Sequence, residues 1–224
     1  VSNSHHFGQA GRHVECLADS GLIGLMFGNT PKAIPPWGGT QALFGTNPIA
    51  FSAPRKNAPA LVIDLSLSKV ARGKVMLANQ KKERIPEGWA IDEQGNPTTN
   101  AQKALSGAML PIGDAKGSAL ALMVEILAAG LTDSKFGFEA SSFLDSEGDS
   151  PGVGQLLIAI DPSFFSGDSF ADRMETIVSA ILDQPSTRLP GSKRLEKRKE
   201  SKEKKIAISK ELYDEITRLT ESIL

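Results

Sequence analysis

Two adjacent histidines stand near the start of the chain, in residues 3–8 (NSHHFG). Histidine is the side chain whose usual pKa, about 6.5, permits proton exchange near neutral pH. The pair precedes a glycine and a stretch with the apolar spacing of a helix, so it is a candidate general acid or base. The alternative is a buried or surface histidine with a structural hydrogen bond.

Asp64 ends an apolar, strand-like run and is followed by Leu65-Ser66. A carboxylate at the carboxyl end of a strand can accept hydrogen bonds from ribose hydroxyl groups, as acidic residues do in dinucleotide sites. A turn or helix cap made by Asp64 or Ser66 is the alternative.

Lys116 lies at the predicted start of a helix, in a segment flanked by glycines (GDAKGS, residues 113–118). The helix dipole disfavours a cation there by about 0.3–1 kcal/mol. A cation beside free helix N–H groups suits an anion such as a phosphate or carboxylate. Pairing with Asp114, or exposure to solvent, is the alternative. The segment lacks the spacing of a P-loop, and no Gly-x-Gly-x-x-Gly motif opens a helix after a strand.

Charge distribution argues against a nucleic-acid partner. Residues 193–205 carry eight Lys/Arg and three Glu, which leaves an acidic remainder in a chain of net charge −1. Nucleic-acid affinity rests mainly on a basic face. The basic run is interleaved with glutamates at helical spacing, which favours a solvated helix face over a surface for nucleic acid or anionic lipid.

The cysteine count and hydropathy suggest a cytoplasmic protein. Cys16 is the only cysteine, so no intrachain disulfide is possible, and no zinc-type spacing or other metal site is expected. We expect Cys16 to be a small buried apolar residue. No secretory signal is visible, and the longest apolar run, residues 119–131, is interrupted by Glu125 and too short to cross a bilayer. The chain begins in a strand-like segment without methionine, so we expect a truncated chain.

Strand and helix patterns alternate, which predicts the α/β class. Helices are expected over residues 8–20, 70–79, 116–130 and 169–182, and strands over 22–27, 49–52, 61–64 and 154–161. The 116–130 helix is apolar almost all round, so it is expected in the core. The 154–161 strand is also expected to be buried. The proline- and glycine-rich loop over residues 31–48 is long enough to suggest a function.

The expected organisation is a cofactor-binding and catalytic domain over residues 1–185, with a central buried helix, and a helical tail over 186–224 that packs back on it. Ser209 is expected to cap the last helix. Four residues make one apolar stripe along that helix: Leu212, Ile216, Leu219 and Ile223.

Six segments carry a resemblance to a known family. They are residues 3–8 (NSHHFG), 44–51 (FGTNPIAF), 63–66 (IDLS), 85–92 (IPEGWAID), 95–99 (GNPTT) and 110–117 (LPIGDAKG). In this order they resemble the malate/L-lactate dehydrogenase family of the second type. That family also includes ureidoglycolate, sulfolactate and diketogulonate oxidoreductases and cyclic-imine-2-carboxylate reductases.

The resemblance implies an NAD(P)-dependent homodimer with a non-Rossmann dinucleotide-binding fold and a mixed sheet. The family's catalytic histidine matches His6, whereas His5 occupies a variable position. The cofactor contacts carry over to Thr30, Asp64, Leu65, Ser66 and Lys116, and a last set falls on Gly191, Ser192 and Lys193. Ser192 replaces the glutamate that the family usually has there.

Family members also carry an N-terminal segment with a Ser-His-Gly motif and arginines that hold the substrate carboxylate, and nothing in this sequence matches it. NAD and NADP both stay open: Asp64 would favour a free ribose hydroxyl, while Lys69, Arg72 and Lys74 could meet a 2′-phosphate.

The leading hypothesis is hydride transfer between NAD(P)H and a small 2-oxo or 2-hydroxy acid, with His6 as the proton donor and Lys116 binding the cofactor phosphates in a shared cavity. One alternative is reduction of a cyclic imine 2-carboxylate with the same cofactor. The other is a truncated remnant that binds dinucleotide without turnover.

Overall fold

The computed structural model describes residues 1–145 and 147–221, and all elements below lie in those ranges. The strands are β1 (Ile23–Gly28), β2 (Ile49–Arg55), β3 (Ala58–Leu65), β4 (Ala90–Ile91), β5 (Pro97–Thr98), β6 (Ala108–Met109) and β7 (Gln155–Ile160). The α-helices are α1 (Ala10–Asp19), α2 (Arg72–Gln80), α3 (Ala101–Ser106), α4 (Ala115–Val124), α5 (Ser163–Ser166), α6 (Ser169–Leu182), α7 (Ser192–Lys204) and α8 (Lys210–Glu221).

The main sheet has the strand order β3-β2-β1-β7, and a smaller sheet has the order β5-β4-β6. The α/β class is as predicted. Every pairing between these strands is antiparallel, whereas the expected mixed sheet would also contain parallel pairs. The reason is connectivity, because β2 and β3 form a hairpin and a loop joins β1 to β2, without the helical crossover that parallel neighbours require.

Strand β1 divides the core into two layers, as alternating side chains of a strand must. Met26 packs with Ala10, Val14, Ala50 and Val62 beneath helix α1. Its neighbour Phe27 belongs to the larger cluster on the opposite face, which contains residues of α2, α3 and α4. The sheet therefore holds α1 on one side and α4 on the other.

Two expectations about burial are wrong. Cys16 is exposed, because α1 buries Ala10, Val14 and Ala18 against the sheet and Cys16 lies on the other side of the helix. Strand β7 is mostly exposed rather than buried, and Leu157 and Ile158 are 42% and 38% accessible. Its position explains this, since β7 is an edge strand that pairs with β1 alone.

The apolar helix predicted over 116–130 is longer than expected and only half buried. Helix α4 continues as a π-helical turn (Glu125–Ala129) and a 3₁₀ turn (Gly130–Thr132). By length and composition, the 18-residue run Ala115–Thr132 is long and apolar enough to cross a membrane. Ala121, Val124 and Ala128 are fully buried in the protein core, which is how a core helix is placed. The opposite face of the run is exposed.

A buried carboxylate interrupts this helix. Glu125 is 3% exposed, and its Oε1 accepts hydrogen bonds from the Gly45 backbone N–H and Asn47 Nδ2. Its Oε2 accepts from the Gly137 backbone N–H and Asn29 Nδ2. Four N–H donors thus satisfy a charge that has no cationic partner among the described residues. Glu125 thereby fixes three chain segments to one point of the helix.

Replacing Glu125 by Gln should destabilise the protein by about 1.5–3 kcal/mol. The amide NH₂ of glutamine would replace either Oε1 or Oε2. In both cases it would face a fixed backbone N–H donor, of Gly45 or of Gly137, and that donor would lose its acceptor. The free energy of unfolding in urea measures the effect, with exposed Glu87→Gln as the matched control. A Glu125→Gln protein as stable as that control would contradict this assignment.

Candidate functional site

His6 is held in a defined orientation by its neighbours. Its Nδ1 accepts the Gly8 backbone N–H at 2.9 Å, so the neutral ring carries its proton on Nε2. Phe7 stacks on the ring at a centroid distance of 5.8 Å, and Phe143 meets it edge-on at 5.3 Å. His5 is held in the same way, because its Nδ1 accepts the His6 backbone N–H. The two histidines differ in position, since His6 lines the two cavities described next and His5 lines neither.

Two cavities adjoin His6. The first, which we call the Arg72 cavity, has a volume of about 460 Å³ and is lined by His6, Thr30, Lys32, Thr46, Arg72 and Phe143, among others. The second, the Asp64 cavity, has a volume of about 530 Å³. Its lining includes residues 8–10 before and at the start of α1 and residues 64–66 at the end of β3. Both volumes suit small ligands or parts of a cofactor.

His6, Thr30 and Thr46 line both cavities and form the wall that they share. The two threonines are linked, since Thr30 Oγ1 accepts the Thr46 backbone N–H at 2.9 Å and lies 3.3 Å from Thr46 Oγ1. The Thr30 backbone N–H donates to Asn47 Oδ1, which connects this wall to the Glu125 network. A group bound in either cavity can therefore reach the same histidine.

Asp64 is a helix cap, one of the two roles considered for it, and its contact with a ribose stays a prediction. Its Oδ2 accepts the Gly11 backbone N–H at 2.8 Å, so it caps the first turn of α1. The capped helix is distant in sequence, whereas the sequence suggested a cap for the turn that follows Asp64 itself. The carboxylate also lines the Asp64 cavity together with Leu65 and Ser66. Any side chain at Gly11 would be excluded, because a Cβ there would lie 2.7 Å from Asp64 Oδ2. The cavity thus joins a helix N-terminus to an acidic acceptor.

Helix α7 reaches this corner from the far end of the sequence. A Cβ at Gly11 would lie 2.9 Å from Arg194 Nη1, and a Cβ at Gly191, whose φ is +80°, would lie 2.9 Å from the Val62 carbonyl oxygen. The start of α7 therefore packs beside β3, near Asp64. Gly191, Ser192 and Lys193 border this corner without lining either cavity. Their contact with a cofactor stays a prediction.

An ion pair fastens α7 to α1. Arg198 Nη1 lies 2.9 Å from Glu15 Oε1, and the Glu15 side chain is only 8% exposed. Burial by itself raises the pKa of Glu15, but hydrogen bonds from Arg198 and Arg12 outweigh burial and hold that pKa below its ordinary value of 4.5. One residue of the basic run, Arg198, thus attaches α7 to the body while its side chain stays partly exposed.

Helix α8 is capped by Ser209, as predicted. Leu212 and Ile216 of its apolar stripe are exposed.

Ile223 lies outside the described residues, and the domain boundary at 185/186 stays a prediction.

Lys116 lines neither cavity, and neither do Lys69 and Lys74, which were considered for a 2′-phosphate. The Lys116 side chain is exposed and forms no ion pair within residues 1–145 and 147–221, so exposure to solvent describes it rather than pairing with Asp114. The structure therefore does not place Lys116 and His6 in a shared cavity, and a cofactor contact by Lys116 stays a prediction.

The structure adds residues that sequence reasoning did not single out. Gly8, Gln9 and Ala10 line the Asp64 cavity, while Lys32, Ser142 and Phe143 line the Arg72 cavity. Thr46 lies in the 44–51 segment, but the sequence alone did not predict a role for its side chain in the site. The structure shows that role, because Thr46 contacts Thr30. Residues 140–144 carry no catalytic residue type or motif, and only the fold brings them to His6.

Arg72 is a cation without an anionic partner among the described residues. Its Nη1 and Nη2 donate to the carbonyl oxygens of Lys32 and Leu105 at 3.3 and 3.4 Å, and its Nε is buried without a hydrogen-bond partner. Partial burial lowers the pKa of Arg72, because it removes part of the guanidinium from water. An anion in the Arg72 cavity would stabilise the charged guanidinium. No group of His, Cys, Asp or Glu suited to a metal ion occurs in the described part of the chain.

Comparison with known proteins defines the class. Residues 1–217 match the malate/L-lactate dehydrogenase family, and the chain belongs to that family. It is 56% identical over 200 residues to the (2R)-3-sulfolactate dehydrogenase (NADP(+)) of Chromohalobacter salexigens, covering 89% of this chain and 60% of that protein. It is 41% identical over 224 residues to a Δ1-pyrroline-2-carboxylate/Δ1-piperideine-2-carboxylate reductase of Pseudomonas aeruginosa, covering 99% of this chain and 67% of the relative.

Solved structures confirm the fold. The Δ1-piperideine-2-carboxylate reductase of Pseudomonas syringae superposes with a TM-score of 0.88 at 41% identity, over 98% of this chain and 65% of that one. The sulfolactate dehydrogenase of Methanocaldococcus jannaschii gives 0.87 at 35% identity, over 99% and 65%. The chain thus spans somewhat under two thirds of the length of most of these proteins.

Glu15→Gln should lower the free energy of unfolding at pH 7 by about 1 kcal/mol. Because the folded-state pKa lies below the unfolded value, the carboxylate stabilises fully above about pH 4.5 and ceases to as the pH falls through the folded-state value. Urea unfolding over a pH series should therefore show the gap between wild type and variant closing in acid. Exposed Glu196→Gln on α7 is the control, and a gap that persists unchanged in acid would contradict the assignment.

Proposed function

We propose that the chain is the dinucleotide-binding and proton-donating part of an NAD(P)-dependent oxidoreductase that reduces small 2-oxo acids and oxidises the corresponding 2-hydroxy acids. The observation that carries this proposal is the position of His6, on the wall shared by two cavities. One cavity contains Asp64, Leu65 and Ser66, which the resemblance assigns to the cofactor. The other contains Arg72, which forms no ion pair with the residues that the structure describes.

The Asp64 cavity fits a dinucleotide by the chemistry of its lining. The N-cap residue of α1, Gln9, makes no side-chain capping bond, although Asp64 already accepts the Gly11 N–H of the first turn. The positive end of the helix dipole favours a phosphate group on the side of Gln9 and Ala10, away from the Asp64 carboxylate. The free Oδ1 side of Asp64 suits a ribose hydroxyl. When bound, the nicotinamide group supplies the hydride.

His6 then acts on the acid in the Arg72 cavity. The imidazolium form of His6 donates the Nε2 proton to the carbonyl oxygen as that carbon is reduced, which gives the alcohol and a neutral ring protonated on Nδ1, and the ring regains a proton from solvent. In the oxidative direction the neutral ring protonated on Nδ1 accepts the hydroxyl proton at Nε2. Both directions require a rotation that releases Nδ1 from the Gly8 backbone N–H. Arg72 binds the carboxylate of the acid, and Thr30 and Thr46 keep the wall between acid and cofactor in place.

NADP is the cofactor that we favour, because the sulfolactate dehydrogenase relative uses it. The acid is of the lactate, malate or sulfolactate type. Reduction of a cyclic imine 2-carboxylate is a second candidate, which the reductase relatives favour. The same histidine and arginine would serve it, because the imine nitrogen also needs a proton. A remnant that binds dinucleotide without turnover is the third reading.

His6→Asn should abolish most turnover while leaving dinucleotide binding unchanged, since general acid catalysis contributes on the order of 10²–10⁴-fold. Turnover is followed as NADPH absorbance with pyruvate, oxaloacetate, 3-sulfopyruvate and Δ1-piperideine-2-carboxylate, and binding as NADPH fluorescence. His13→Asn, on the exposed side of α1, is the matched control.

Undiminished turnover in His6→Asn would refute the proton-donor role. NADPH binding by the wild type without reduction of any of these compounds would favour the remnant.

We also propose a cytoplasmic homodimer. The free thiol of Cys16 agrees with a reducing compartment. Leu122, Met123 and Ile126 form an exposed apolar face on α4 and its π-helical turn, and such a face is typical of a subunit interface. Sedimentation velocity should give twice the 23.8 kDa chain mass, falling to the chain mass in Ile126→Asp. A monomeric wild type, or a variant that stays dimeric, would contradict this interface.

A further inference from the structure

The Arg72 cavity has more positive charge than one carboxylate needs. Among the described residues that line it, two are cationic, Lys32 and Arg72, and none is Asp or Glu. The rest of its lining is apolar or carries hydroxyl groups, apart from His6. A small cavity with two cations and no anion selects for negative charge in its ligand.

Arg72 is committed to one position in this cavity. Its Nη atoms donate to the carbonyl oxygens of Lys32 and Leu105, and it forms no ion pair with any described residue. A half-buried guanidinium held in this way suits one anionic group with defined geometry.

Lys32 supplies the second charge independently. Its backbone is fixed at both ends of the residue, because its N–H donates to the Gly137 carbonyl oxygen at 2.8 Å and its own carbonyl accepts from Arg72. Its ammonium group forms no ion pair within the described ranges, and the side chain is exposed. Lys32 is therefore a point charge beside the Arg72 cavity, available to a second anionic group.

We propose that the Arg72 cavity selects 2-oxo and 2-hydroxy acids with a second anionic group, and that Lys32 binds this group while Arg72 binds the 2-carboxylate. This inference rests on the proposed function. The second group is a carboxylate or a sulfonate, since both present anionic oxygens to an ammonium group. Monoanionic acids and cyclic imine carboxylates would leave Lys32 without a partner.

The test compares wild type with Lys32→Met, and with Lys81→Met as a control on the exposed end of α2. Turnover is measured with oxaloacetate, 3-sulfopyruvate, pyruvate and Δ1-piperideine-2-carboxylate. Binding is measured without turnover, by calorimetric titration of malate, 3-sulfolactate and lactate in the presence of NADPH. Comparison of kcat/KM for oxaloacetate with that for 3-sulfopyruvate shows whether a carboxylate or a sulfonate is preferred as the second group.

We expect the dianions to be preferred over the monoanions in both measurements. Because Lys32 is exposed, its removal should weaken dianion binding and kcat/KM by about three- to tenfold, clearly more than it weakens the monoanion values, and Lys81→Met should change neither. The loss should be largest for the better of the two dianions.

The outcomes separate this inference from the proposed function. Turnover without a preference for dianions, or a preference that survives Lys32→Met, would overturn the inference and leave the oxidoreductase intact. Dianion binding that depends on Lys32, without turnover of any compound, would support the anion site and refute the activity. Absence of both dianion binding and turnover would overturn both.

Discussion

The site depends on one buried carboxylate. Glu125 accepts hydrogen bonds from Asn29, Gly45, Asn47 and Gly137, and these residues flank the positions from which Thr30 and Thr46 form the wall between the two cavities. A buried anion is tolerated only when every lone pair that faces the protein is satisfied. These hydrogen bonds fix the long loop over residues 31–48, which is rich in proline and glycine. The helix forms a π-helical turn where Glu125 directs its carboxylate to this loop.

The two cavities give the arrangement its chemical logic. One is bounded by a helix N-terminus and an acidic acceptor, which suit a dinucleotide, and the other by an arginine and a lysine, which suit an acid. His6 belongs to both, and its hydrogen bond from Gly8 to Nδ1 leaves Nε2 as the ring nitrogen that can face a ligand. Distant parts of the chain meet here, because Glu15 and Arg198 hold helix α7 against α1 beside Asp64.

The local elements and the family could be predicted from sequence, because they depend on short-range patterns. Helix α6 has the predicted bounds, and α1 ends before Gly21 as expected. The six family segments identified the fold class although the glycine fingerprint is absent. Burial was less predictable: Cys16 and β7 are exposed, because apolar character does not say which face a helix turns inward or which strand lies at an edge. The role of Phe143 and the exclusion of Lys116 from both cavities depend on tertiary contacts that no spacing encodes.

The central claim is that the dinucleotide and the acid occupy separate cavities that share His6. A crystal structure of the chain with NADPH and malate tests it most directly. We expect the ribose and phosphate groups to lie between the start of α1 and residues 64–66. The malate should lie in the Arg72 cavity, with its hydroxyl within hydrogen-bond distance of His6 Nε2. A dinucleotide bound elsewhere on the chain, or a malate that does not approach His6, would contradict the account.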